Sequence, residues 1–87
     1  MPLALSGSLT MRSVPSQLRN LQLPADGVID LSGVTQSDSS ALALLLEIQR
    51  RAAGKGLQLQ WQGAPQQLLE LARFFELDEA IALRARA

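Results

Sequence analysis

Val28-Ile29-Asp30-Leu31-Ser32, followed shortly by Ser37-Asp38-Ser39-Ser40-Ala41-Leu42-Ala43-Leu44-Leu45-Leu46, is the stretch whose reading decides the fold. Its two opening β-branched residues favour a strand, and the turn signal Pro24-Ala25-Asp26-Gly27 fixes where that strand begins. Residues 33–37 read as a short polar loop, and residues 41–53 are strongly helical by residue type. Gly54 reads as the C′ glycine that stops the helix. A central strand thus delivers the chain, through four polar residues, to the N-terminus of a long apolar helix.

Toward the N-terminus, Leu3-Ala4-Leu5-Ser6 predicts a short strand with a turn at Gly7. Met11, Val14, Leu18 and Leu21 are spaced as one apolar helical stripe, with Thr10 as N-cap and Pro15 trimming the first turn. Toward the C-terminus, Leu57, Leu59 and Trp61 alternate with Gln58, Gln60 and Gln62, the period-two pattern of a strand with one packed and one wet face. Pro65 opens a further helix, whose stripe Leu68, Leu71, Ala72 and Phe75 is expected to pack inward. Asp78 is placed to cap a last short helix through Leu83, and Arg84-Ala85-Arg86-Ala87 reads as a fraying tail. Strands alternating with helices define an α/β fold built from right-handed crossovers. The expectation is one domain over residues 1–87, a small mixed sheet with helices mainly on one face.

Composition narrows the function classes. The chain has 87 residues, of which 47% are hydrophobic and 3% aromatic, so its core is aliphatic. Eight basic residues balance eight acidic ones, and no cluster of Lys and Arg is present to grip a phosphate backbone. With so little charge to keep copies and partners apart, part of the surface is expected to meet another protein. The absence of Cys and His removes the usual zinc sites and the Cys-His and Ser-His catalytic arrangements, which disfavours an enzyme. No segment is apolar for long enough to span a bilayer, and a cytosolic location is expected.

Ser37-Asp38-Ser39-Ser40 is the most unusual segment. A helix N-terminus presents unpaired N–H groups and the positive end of the dipole, so a hydroxyl there can meet an acidic group or carry a phosphate. The plainer alternative is that one of the four simply caps the helix. In the helix itself, Ala41, Leu44, Leu45, Ile48 and Ala52 form one stripe, and Leu42, Leu46 and Ala53 an adjacent one available either to a neighbour or to the core. Ala43, Glu47, Arg50 and Arg51 lie toward the remaining face. Gly54-Lys55-Gly56 lacks the spacing of a phosphate loop and reads as a helix stop. Asp30 and Asp38 are too few for a metal site, Glu70, Arg73 and Glu76 read as a solvated face, and no cofactor is assigned. Trp61 is expected in the core with its indole N–H near the surface.

In their order and spacing, Ile29-Asp30-Leu31-Ser32 and Asp38-Ser39-Ser40-Ala41-Leu42 resemble the STAS domain, the fold of anti-sigma-factor antagonists. Within that family, Leu3-Ala4-Leu5-Ser6-Gly7, Ala41-Leu42-Ala43-Leu44-Leu45-Leu46 and the stretch from Leu68 to the Phe-Glu-Leu at 75–77 are most similar to the small STAS subunits of bacterial phospholipid-transport ABC complexes. The resemblance implies a cytoplasmic, non-catalytic subunit, peripheral to the inner membrane, that supports the transporter's ATPase subunit in maintaining outer-membrane lipid asymmetry. Partner-binding residues are then Asp38, Ser39, Ser40, Leu42, Ala43, Leu46 and Glu47. The alternative implied by the same family is an anti-sigma-factor antagonist switched by phosphorylation, and the family's modified hydroxyl maps onto Ser39. Ala41 stands where the family usually has Gly, which would be costly if the backbone there required positive φ.

Overall fold

The computed structural model describes residues 3–85. Its elements are β1 (Leu3–Leu9), α1 (Val14–Arg19), β2 (Val28–Ser37), α2 (Ser39–Gly54), β3 (Gln60–Ala64), α3 (Gln66–Phe74) and β4 (Leu83–Ala85). The strands form one sheet in the order β1-β2-β3-β4, and each neighbouring pair is parallel. The sheet is therefore parallel throughout the described residues and not mixed, because a helical segment or turn returns the chain to the same edge between strands. Each step moves in the same direction across the sheet, so right-handed crossovers stack the helices on one face. The burial pattern agrees. Leu5, Ile29, Leu31, Val34, Trp61 and Ala64 are sealed beneath the helices, while Ala4, Ser6, Ser32, Gln60 and Gln62 are exposed on the other face.

Between the layers lies an aliphatic core centred on α2. Leu44, Leu45 and Ile48 have no exposed surface, and they pack with Leu9, Ile29, Leu31, Leu68 and Ile81 in one cluster. At about 25 cal/mol per Å² of apolar area, burial of such side chains is worth about 1.5–3 kcal/mol each. Trp61 is 2% exposed, and its indole Nε1 donates to Gln49 Oε1 at 3.4 Å, as expected of a core Trp with its N–H near the rim.

Several elements differ from their expected bounds, each for a physical reason. The expected loop at 33–37 is strand, because Gly33, Val34, Gln36 and Ser37 pair with Ser6, Gly7, Ser8 and Leu9 of β1. Polar residues are tolerated there since the open sheet face is wet. Gly7 accordingly lies within β1, next to a register shift, and does not end it. Helix α1 begins after Ser13, not Thr10: Thr10 O accepts from Ser13 N and Val14 N, and Pro15 occupies the first turn. Met11 is left outside the helix and 75% exposed. The alternation at 57–62 holds in burial, but the strand ladder begins at Gln60. No helix runs from Asp78 to Leu83; Leu83 enters β4, and Arg86 and Ala87 of the expected tail lie outside the described residues. Phe75, expected to pack inward, is at the C-cap of α3, beyond its last turn.

The Pro24-Ala25-Asp26-Gly27 turn is held at close quarters. A Cβ on Gly27 would lie 2.2 Å from the Gln58 carbonyl oxygen, and Gln60 N donates to Gly27 O at 2.7 Å. Only glycine permits this approach, which fixes the start of β2 beside β3.

Candidate functional site

Helix α2 starts at the C-terminal edge of the central strand β2, and its first residues are organised by Asp38. As the N-cap, Asp38 is in an extended conformation, and its Oδ1 accepts from Ser40 N at 2.8 Å. Its other oxygen, Oδ2, accepts from Met11 N at 3.2 Å, and its own N–H donates to Leu9 O at 3.3 Å. One carboxylate thus ties the β1–α1 connection to the start of α2. This satisfies the plainer expectation that one of the polar residues caps the helix.

With Asp38 so occupied, Ser39 is the first residue of α2 and is exposed, while Ser40 is half-buried. Along the helix, Ser39, Ala43 and Leu46 follow at i, i+4 and i+7, on one exposed face. Leu46 is 36% exposed, and the surface is uncharged from Ser39 to Leu46. Met11 is joined to Asp38 through its backbone N–H and is 75% exposed beside the start of the helix. Sequence spacing places Met11 in the apolar stripe of α1, whereas the structure leaves it outside that helix and bonds it to the cap of α2.

Leu42 is not on this surface. It is 3% exposed and belongs to the core cluster, so the second stripe is divided, with Leu42 inside and Leu46 and Ala53 outside. The reason is the breadth of the buried face: a helix covering the centre of a sheet buries more than one stripe. Ala41 is also fully buried within the helix, and Glu76 is the only non-glycine residue with positive φ among the described residues. Ala in place of the family's Gly therefore brings no backbone strain at position 41.

Glu47 faces its own helix. Its Oε1 accepts from Arg50 Nε at 2.8 Å, and its Oε2 accepts from Arg50 Nη2 and Arg51 Nε at 2.7 Å each. Hydrogen bonding to Arg50, then to Arg51, lowers its pKa to about 2 from the ordinary 4.5. The pairing holds the carboxylate ionised, and it closes the uncharged surface on its C-terminal side. A recess of about 540 Å³ at the far end of α2 is lined by Leu21, Leu23, Arg50, Arg51 and Lys55, but both guanidinium groups are already engaged by Glu47.

Among the described residues, no group of three or more potential ligands gathers to hold a metal ion. Asp30 Oδ1 accepts from Ser32 N at 2.9 Å, while Asp38 is spent on the cap, so the two carboxylates serve separate backbone turns. No helix of the described residues is long and apolar enough to cross a membrane.

The chain is thus a parallel sheet covered by helices on one face, with an outward hydroxyl at the start of the helix leaving its second strand. The family described as "Mlab, STAS domain" matches residues 1–85, and the chain belongs to that family. No curated protein matches the chain.

Proposed function

We propose that this chain is the non-catalytic STAS subunit of an Mla-type phospholipid ABC transport complex. In this reading it binds the cytoplasmic ATPase subunit and, through it, the permease complex at the inner membrane, and so serves outer-membrane lipid asymmetry. The observation that carries the reading is the uncharged exposed surface of Ser39, Ala43 and Leu46 on the helix that the Asp38 cap begins. Such a surface costs little to desolvate, so burying it against a partner is favourable without a matching set of charges. Asp38 and Ser40 act as its support, Glu47 marks its limit, and Leu42 acts through the core that holds α2 in place.

Co-purification with the ATPase encoded beside it tests the reading. Wild-type protein is expected to retain the ATPase, and S39E and A43E to lose it. Retention by both variants would overturn the assigned face.

The exposure of Ser39 favours one second reading, an anti-sigma-factor antagonist that changes partners on phosphorylation. A phosphate there would bring about −1.5 to −2 charges to the positive end of a 16-residue helix. Intact-mass measurement on protein from its own cell separates the two. A form heavier by one phosphate and absent from S39A favours the switch; its absence favours the transporter subunit.

A further inference from the structure

The C-terminal end of α3 gathers three features that the packing of the core does not require. Phe74 is 79% exposed and Phe75 47%, although the chain has only one other aromatic residue, the buried Trp61. Their rings stand edge to face, with centroids 5.2 Å apart and planes at 87°, so the pair is a preformed apolar knob. Next to it, Glu76 holds φ 58, in the left-handed region that an L side chain adopts at a cost. The turn is a Schellman motif, with Glu76 N donating to Arg73 O at 3.0 Å and Leu77 N to Ala72 O at 2.8 Å. The same motif ends α2, where the C′ position is filled by Gly56 at φ 69. The third feature is charge. Glu76, Asp78 and Glu79 follow the negative end of the α3 dipole, and Glu70 lies one turn before Phe74. All four are exposed, and Arg73 is the only cation between residues 70 and 79.

None of these choices serves the core, which Leu68, Ala72 and Ile81 complete beneath them. Locally unfavourable residues that recur at one place mark a site that the fold carries for another purpose. We propose that the Phe74–Phe75 knob, with its rim of carboxylates, docks a basic, apolar-faced segment of a protein partner. The rings supply the anchor, and the rim selects Lys and Arg around it. An anionic lipid surface is repelled by the same rim, and a second copy presenting this patch meets like charge.

Topology sets the knob apart from the Ser39 surface. In a parallel sheet the crossover helices run antiparallel to the strands, so α2 begins at the C-terminal edge and α3 ends at the N-terminal edge. A partner on the knob and one on the Ser39 surface therefore occupy opposite edges.

The test is a titration of isotope-labelled protein, followed by its amide resonances, with a short synthetic amphipathic helix of leucine and lysine. A leucine–glutamate peptide of the same pattern and phosphatidylglycerol vesicles serve as comparisons. Shifts are expected at residues 70–79 with the lysine peptide alone. Affinity should fall about thirtyfold in the F74A/F75A variant, the size of a hot-spot loss. It should fall likewise in E70K/E76K/D78K/E79K. Both variants change exposed side chains, and far-UV circular dichroism checks that each remains folded. Shifts centred elsewhere, unchanged affinity in F74A/F75A, binding of the vesicles, or a Phe74-dependent dimer in sedimentation would each overturn the proposal. A failed ATPase co-purification would not bear on it, because the two surfaces lie at opposite edges.

Discussion

Replacing Glu76 by Gly should stabilise the protein. At φ 58, Glu76 occupies the C′ position of the turn that ends α3. A left-handed conformation costs an L residue about 1–2 kcal/mol, which glycine does not incur. Glycine returns about 0.5–1 kcal/mol of that gain through its larger unfolded-state entropy, leaving a net gain of about 0.5–1 kcal/mol. Removing a charge from the helix C-terminus adds about 0.3 kcal/mol at an exposed position. E76Q isolates this second contribution, because it keeps the strained backbone. The sum for E76G is about 1 kcal/mol, which in a domain of this size raises Tm by about 4–8 °C. The reciprocal change, G56A, should cost about 1 kcal/mol. A Cβ at Gly56 would meet nothing within 4 Å, so this loss reports the backbone alone. Urea and thermal denaturation followed by circular dichroism measure both variants. Stabilisation of E76Q equal to that of E76G would refute the backbone argument, as would a neutral G56A.

Other substitutions probe other links. D38A removes an acceptor from both Ser40 N and Met11 N, and should cost about 1–2 kcal/mol with faster amide exchange at both positions; D38N, which keeps one acceptor oxygen, should recover part of it. I48A deletes a fully buried side chain at the centre of the core and should cost about 2–5 kcal/mol in chemical denaturation. The pairing of Glu47 with Arg50 and Arg51 lowers its folded pKa to about 2. Its contribution to stability is therefore present above the unfolded value near 4.5 and is lost as pH falls toward 2. The drop in Tm across that window should be smaller in E47Q than in the wild type.

The sequence carried most of the fold in its hydrophobic pattern. Alternation through Leu59, Trp61 and the glutamines correctly separated the packed face of the sheet from the wet one, and Pro65 marked the start of α3. What it could not carry were effects of tertiary pairing. Residues 33–37 look like a loop when read alone, and become strand because β1 lies beside them. Gly54 and Gly56 both suit a C′ position by residue type, and the Schellman hydrogen bonds put the stop of α2 at Gly56, two residues beyond the one that sequence indicates. At the candidate site, the capping role of one polar residue is legible in the sequence and falls to Asp38 through its bond from Ser40 N, whereas the second bond of that carboxylate, from Met11 N, joins residues 27 apart and leaves no local signal. Periodicity leaves the Leu42 stripe open to core or partner, because it gives the direction of a helical stripe and not the width of the sheet beneath it; burial of Leu42 corrects the partner-binding role that the family resemblance implies for it. The exposure of Phe75 escaped for a related reason: spacing does not show where a helix stops.

The docking claim is tested most directly by measuring the affinity of the purified ATPase subunit for three forms of this chain: wild type, A43E and F74A. The account predicts tight binding by the wild type and by F74A, with a loss of about thirtyfold or more in A43E, whose new carboxylate would be buried unpaired in the interface. Undiminished binding by A43E, or a loss confined to F74A, would contradict it.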